Sequence, residues 1–133
     1  MKHHFWPAVL LLATLLVALA FPVQAAFVDG LQLLKYCQGE DRADRAMTPD
    51  ELVRAEHDRF ECFGYIEGVV DDYESSTRVS NLTPIMCTPA DIRLGQAKIV
   101  VRRYLETHPE LLHLPACPIV RAALKEAFPC ITK

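Results

Sequence analysis

Five cysteines are the residues of this chain whose type and spacing most clearly support chemistry. Widely spaced cysteines in a small exported domain form disulfides, whereas a zinc site needs closely spaced ligand pairs. The sequence contains no Cys-x-x-Cys pair. We therefore predict a disulfide framework with no metal and no cofactor, and one free thiol because the number is odd. The five stand at Cys37, Cys62, Cys87, Cys117 and Cys130.

Groups suited to catalysis are scarce by comparison. A Cys/His catalytic pair needs a free thiol, and the local candidate is Cys117 with His113, around which no orienting motif occurs. The acidic cluster Asp71-Asp72-Tyr73-Glu74 lacks the alternating ligands and the glycine of a calcium loop. We predict no catalytic residue, and a thiol enzyme based on Cys117 is kept as an alternative.

The first 25 residues have the pattern of an export signal. Lys2 precedes an uncharged apolar run over residues 9–21, and Val23 and Ala25 fit the −3 and −1 positions of a cleavage site. The run is short for a bilayer span, although an uncleaved anchor is the alternative. We predict cleavage after Ala25, leaving one soluble domain over residues 26–133, in the periplasm and not bound to a membrane.

The charge of this domain argues against nucleic acid as a partner. All 17 acidic residues lie after residue 25, and Lys2 is the one Lys or Arg before it among the 14 in the chain. The predicted mature domain is therefore mildly acidic and contains no basic run, unlike proteins that bind nucleic acid.

Capping signals and helical periodicity predict an all-α fold. Thr48-Pro49-Asp50-Glu51 is a capping box, and Thr88-Pro89-Ala90-Asp91 follows the same logic. Gly64 and Gly68 in the helix after the first box are expected where another backbone approaches closely. With no period-two alternation, we predict a small disulfide-stapled bundle of about four to five helices. The apolar stripes are Phe27, Leu31, Leu34 and Cys37; Cys62, Ile66, Val69 and Tyr73; Ala97, Val100, Val101, Tyr104 and Leu105; and Ala116, Ile119, Val120, Ala123, Leu124, Ala127 and Phe128.

The positions of the cysteines on these helices favour two bridges among the many possible pairings. Cys37 ends the first helix and Cys62 lies on the buried stripe of the second. Cys130 returns toward Cys87 if the last two helices pack antiparallel. We favour Cys37–Cys62 and Cys87–Cys130, which leaves Cys117 as the free thiol.

Five sequence blocks spread over nearly all of residues 26–133 are similar to a known family. They are Cys62-Phe63-Gly64-Tyr65-Ile66-Glu67-Gly68-Val69, Met86-Cys87-Thr88-Pro89, Gln96 with Val100-Val101, Tyr104-Leu105-Glu106-Thr107-His108-Pro109-Glu110, and Ala127-Phe128-Pro129-Cys130. Together they resemble the Rap/Tai family of type VI secretion immunity proteins. The resemblance implies a periplasmic helical protein that binds and blocks a peptidoglycan amidase toxin, often as a homodimer that puts a loop into the toxin's catalytic cleft. The four cysteines at positions 37, 62, 87 and 130 also match positions of the family, whereas Cys117 does not.

No toxin-contacting residue follows from the resemblance, so we predict the contact from loop length and composition. Residues 74–86 form the longest expected irregular segment, and long loops in compact domains are often functional. The predicted contact residues are Glu74, Arg78, Val79, Asn81 and Leu82. The alternatives are an ordinary connector, or a contact made by residues 39–47.

The function predicted from the sequence is inhibition of a toxin, not catalysis. The main alternative from another class is a periplasmic acid-stress holdase, which would release an apolar surface when its carboxylates become protonated. A single cognate partner indicates the first function, and many clients at low pH indicate the second.

Overall fold

The computed structural model describes residues 27–39 and 47–130, and within them the fold is all-α, as predicted. Four helices follow one another: α1 (Gly30–Cys37), α2 (Pro49–Val79), α3 (Leu94–Thr107) and α4 (Ala116–Ala127), with a 3₁₀ turn at Pro109–Leu111. The predicted export signal and residues 40–46 of the second candidate loop lie outside the described residues. None of the helices described here is both long enough and apolar enough to cross a membrane.

The first capping box forms as its sequence predicts. Thr48 Oγ1 accepts a hydrogen bond from the Glu51 backbone N–H at 3.4 Å, and Glu51 Oε2 accepts one from the Thr48 N–H at 2.9 Å. Pro49 occupies the first helical position, where the lack of an N–H does no harm. These local contacts start α2, the 31-residue helix to which the rest of the fold is attached.

The second capping box does not form, and α3 begins six residues after Thr88. The turn that follows Thr88 is closed by a hydrogen bond from Ile92 N–H to Pro89 O at 3.1 Å. The helix then starts after Arg93, whose backbone N–H donates to Gln96 Oε1 at 3.0 Å. The side chain of Gln96 therefore supplies the local cap that Thr88 was expected to provide.

The predicted stripe of α1 is correct at Leu34 and Cys37, which pack in the core, but wrong at Phe27 and Leu31. Phe27 precedes the helix and is 94% exposed, and Leu31 is also exposed, whereas Leu33 and Cys37 are fully buried. Hydrogen bonds from Gly30 N–H to Leu114 O and from Leu31 N–H to Leu112 O hold the start of α1 against the segment before α4. This tertiary pairing, which local periodicity does not reveal, sets which face of α1 is buried.

The core lies where α1, α3 and α4 pack on the second half of α2. The residues that α3 and α4 bury in this core are largely those of the apolar stripes predicted from the sequence. Both favoured disulfides are present, with Cα–Cα distances of 5.0 Å for Cys37–Cys62 and 4.9 Å for Cys87–Cys130. Each bridge closes a loop and so restricts the unfolded chain, which in the chain-entropy account stabilises the fold by roughly 3–4 kcal/mol. The buried residues are Leu33, Cys37, Cys62, Ile66, Val69, Met86, Ala97, Val101, Leu105, Ala116, Ile119, Val120, Ala123 and Leu124.

The glycines of α2 do not have the role expected of them within this chain. Gly64 and Gly68 are exposed, and a Cβ built on either meets no described atom within 4 Å. No backbone among the described residues therefore packs closely on this face of α2. Elsewhere on α2, Asp72 forms an ion pair with Arg121 of α4, with 2.6 Å between Oδ2 and Nη2.

Candidate partner-binding surface

The candidate surface is built around the carboxyl end of α2, which extends further than the sequence suggested. Residues 74–86 were expected to be irregular, but α2 continues to Val79 and includes Glu74 and Arg78. Asn81 then adopts a left-handed conformation, with φ of 49°. Leu82 N–H donates to Thr77 O at 3.0 Å, and Asn81 N–H donates to Arg78 O at 3.4 Å. This is a Schellman motif, in which Asn replaces the more usual glycine.

The hydroxyl of Tyr73 holds the segment that follows this helix end. It accepts hydrogen bonds from the backbone N–H groups of Ile85 at 2.7 Å and Met86 at 3.1 Å. The Met86 side chain is 4% exposed and belongs to the core. On the other side, Cys87 N–H donates to Phe128 O at 2.9 Å. The segment is thus held in place although it contains no helix or strand.

A groove of about 390 Å³ lies between the last turns of α2 and this segment. It brings together four of the five predicted contact residues, while Val79 does not line it. Apolar side chains are exposed around it, among them Val79 at 84% and Leu82 at 62%. The groove can accept an apolar group from a partner beside the charges of Glu74 and Arg78. The lining residues are Tyr73, Glu74, Thr77, Arg78, Asn81, Leu82, Pro84, Met86, Cys87 and Thr88.

Hydrogen bonds and charge change the acidity of the Tyr73 phenol. Burial by itself would raise the pKa of Tyr73, but the N–H donors of Ile85 and Met86, the Thr77 side chain and the positive charge of Arg121 together lower it below its usual value. A phenol oxygen that accepts two N–H groups is stabilised as an acceptor. The Tyr73 oxygen therefore anchors the segment by accepting these two hydrogen bonds.

Cys117 and His113 do not form a catalytic pair among the described residues. Cys117 is a free, half-buried cysteine in the first turn of α4, and His113 is exposed. Tyr65 lies beside Cys117. Burial raises the pKa of Tyr65, the coulombic interaction with Cys117 raises it further, and a hydrogen bond to the Cys117 backbone partly offsets this rise. In the described parts of the chain, no group of three His, Cys, Asp or Glu residues is placed to hold a metal ion.

Six of the residues that line the groove were not among the predicted contact residues: Tyr73, Thr77, Pro84, Met86, Cys87 and Thr88. Tyr73 was predicted as a member of an apolar stripe, yet its hydroxyl organises the segment after α2. Pro84 and Thr88 line the groove, and Thr88 Oγ1 lies 3.5 Å from Glu74 Oε1. The one local signal was Asn81, a residue that readily adopts the left-handed conformation at the end of a helix. The other contacts depend on residues 12 or more positions apart.

Residues 29–130 match the sequence model of the Rap1a immunity proteins, and no curated protein matches the chain. The matched range begins at the residue that caps α1, Asp29, and ends at Cys130 of the second disulfide. It therefore includes all four helices of the described residues, both disulfides and the groove at the end of α2. The resemblance seen in the sequence blocks is confirmed, and the chain belongs to the Rap1a immunity protein family.

Proposed function

We propose that this chain is a periplasmic immunity protein that binds a peptidoglycan amidase delivered by a type VI secretion system and covers its active site. The observation that carries the proposal is the match to an immunity family over residues 29–130. Membership of that family supports toxin binding rather than catalysis. An export-like segment over residues 1–25 supports action in the periplasm, where disulfides persist.

The proposed contact surface is the end of α2 with the groove beside it. Rigid elements bind with a smaller loss of conformational entropy than loops that must become ordered. The Schellman motif fixes the helix end, and the Tyr73 hydroxyl fixes the following segment. Exposed Val79 and Leu82 provide apolar contact area, while Glu74, Arg78 and Asn81 provide charge and hydrogen-bonding groups. The helix end would thus present a shaped surface rather than a long loop.

Co-expression in the periplasm tests the function. The chain should protect cells that export one amidase, chosen from the gene beside its own, and should give no protection against unrelated toxins. A holdase would instead suppress the aggregation of many proteins at low pH without a single tight partner. Broad protection of clients, together with no amidase that binds, would contradict the proposal.

A double variant of the contact surface tests the location. Arg78→Ala with Val79→Ala should weaken binding to that amidase at least about tenfold, or roughly 1.4 kcal/mol, with an unchanged melting temperature. Ile99→Ala is the matched control, because Ile99 is an exposed apolar residue on α3 that does not line the groove. Equal affinities for the double variant and the wild type would move the contact to residues 39–47.

We also propose a homodimer formed through the first half of α2 together with the two glycines that follow it, Gly64 and Gly68. Val53 is 70% exposed and Phe60 is 65% exposed. Phe60 lies seven residues after Val53 and four before Gly64, so these three residues share one helical face. Exposed glycines inside a helix destabilise it by about 1 kcal/mol each relative to alanine. Gly64 and Gly68 are explained if a second copy of the helix packs there and its Phe60 fills the space above them.

Light scattering during gel filtration tests the dimer. Phe60→Asp should convert a dimer of the wild-type chain to a monomer, because it places a charge at the centre of the apolar face. Ile99→Asp is the matched control and should leave the mass unchanged. A monomeric wild-type chain at high concentration would rule out the dimer.

A further inference from the structure

The two disulfides lie in very different surroundings. Cys37 and Cys62 are both fully buried in the core, with no solvent-exposed surface. Cys87 is exposed, and Cys130 is half-buried. Thiol–disulfide exchange requires a thiolate to reach one sulfur of the bridge, so access decides which bridge reacts first. Cys87 is the more exposed cysteine of the second bridge, so a reductant would approach that bridge from the Cys87 side.

The carboxyl-terminal disulfide, Cys87–Cys130, holds a segment that has few other restraints. Between the end of α2 at Val79 and the start of α3 at Leu94 there is no helix or strand. Met86 pairs with Pro129 as an isolated bridge, and Cys87 N–H donates to Phe128 O. Other contacts of the segment include the two hydrogen bonds to the Tyr73 hydroxyl, the burial of Met86 and the packing of Ile92 against the core.

We propose that Cys87–Cys130 is a reversible redox site that dithiol reductants open selectively, while Cys37–Cys62 stays closed. A thiolate of the reductant attacks Cys87 Sγ, the S–S bond breaks, and the electron pair leaves on Cys130 Sγ, which takes up a proton. The second thiolate of the reductant then attacks the mixed disulfide and releases the Cys87 thiolate, which is protonated in turn. The reductant ends as a disulfide, and the protein has gained two thiols.

Opening this bridge should loosen the groove without unfolding the helices. The core contacts of Leu33, Ile66 and Leu124 do not involve either of its cysteines, and the core disulfide still joins α1 to α2. Residues 82–88 then lose their covalent link to the carboxyl end of the chain and keep only the backbone pairing of Met86 with Pro129 and of Cys87 with Phe128. The inference concerns this chain's own chemistry, so it holds or fails independently of whether an amidase binds.

Graded reduction of the oxidised chain tests the inference, in a Cys117→Ser background so that no thiol of the protein takes part. Dithiothreitol is the probe, and alkylation followed by peptide mass mapping records which cysteines have been freed. Cys87 and Cys130 should be labelled at least tenfold faster than Cys37 and Cys62. Amide hydrogen exchange should then rise at Met86 and Cys87 and stay slow around Ile66.

A paired variant separates the effect of the bridge from that of the reductant. Cys87→Ser with Cys130→Ser should reproduce the exchange pattern of the selectively reduced chain and keep the helical content of the wild type. Labelling of all four cysteines in one step, or faster labelling of Cys37 and Cys62, would overturn the inference. So would a reduced chain in which Met86 and Cys87 exchange as slowly as before, or a double variant that is unfolded.

Discussion

The two halves of α2 belong to one continuous helix but are stabilised in different ways. We take residues 49–61 as its first half and residues 62–79 as its second half. All three of its buried residues, Cys62, Ile66 and Val69, lie in the second half, where the other helices pack. In the first half, the apolar residues Leu52, Val53 and Phe60 are more than half exposed. The first half is therefore fixed mainly by contacts between residues close in sequence, and the second by contacts with the rest of the fold.

This difference separates the proposed roles of the two halves. A helix without tertiary packing is only marginally stable in water, so the exposed first half needs its capping box and benefits from a partner. The second half is stabilised by its contacts with the other helices, so it can present a rigid surface at its end. We therefore assign the dimer contact to the first half with the two glycines that follow it, and the toxin contact to the end of the second half.

The largest expected effect comes from truncating the packed half. Ile66→Ala should lower the free energy of unfolding by about 2–5 kcal/mol, because Ile66 is fully buried and its loss leaves a cavity. Phe60→Ala removes a larger side chain from the exposed half, yet the monomer should change by no more than about 0.5 kcal/mol. Denaturant titration at low protein concentration measures both. Similar losses for the two variants would contradict the contrast between the halves.

The next effect concerns the anchor at the end of the packed half. Tyr73→Phe keeps the ring but removes the acceptor of two backbone N–H groups, which should lower stability by roughly 1–3 kcal/mol. Hydrogen exchange should accelerate at Ile85 and Met86. Tyr104→Phe is a suitable control, because its ring stacks on His108 and the described residues show no hydrogen bond to its hydroxyl. Slow exchange at Ile85 and Met86 in the Tyr73 variant would show that other contacts hold the segment.

The same contrast explains what the sequence could and could not predict. The start of α2 is encoded within four residues, from Thr48 to Glu51, and the stripes of α3 and α4 repeat at helical spacing, so these elements were predicted correctly. The end of α2 was predicted too early, because polar residues such as Ser75 and Ser76 are typical of loops. The register of α1 depends on hydrogen bonds to residues 112 and 114, and the groove depends on Tyr73 meeting Ile85. Such pairings join distant parts of the chain and leave no local pattern.

A smaller effect is expected at the start of the exposed half. Thr48→Ala removes the Oγ1 acceptor of the Glu51 N–H, a change that typically destabilises a helix by about 1 kcal/mol. Because none of residues 49–61 is buried, the loss should appear mainly as faster hydrogen exchange in the first turns of α2. Exchange around Ile66 should not change. A uniform acceleration along all of α2 would mean that its halves form a single cooperative unit.

The smallest effect distinguishes two tyrosines within the packed half by their titration. The pKa of Tyr73 is lowered from 10.0, and the pKa of Tyr65 is raised from 10.0. The part of the Tyr73 contribution to stability that depends on its ionisation is therefore present above pH 10.0 and lost as the pH falls through its folded-state pKa, whereas the hydrogen bonds of the neutral hydroxyl remain. The corresponding part of the Tyr65 contribution is present below pH 10.0 and lost as the pH rises through its folded-state pKa. The measurement is the phenolate absorbance of the folded protein as a function of pH. The wild-type curve minus that of Tyr73→Phe should have its midpoint below pH 10.0, and the wild-type curve minus that of Tyr65→Phe should have its midpoint above pH 10.0. A Tyr73 midpoint at or above 10.0 would mean that burial outweighs the two N–H donors, and the Tyr73 hydroxyl would then not be the anchor of residues 85 and 86.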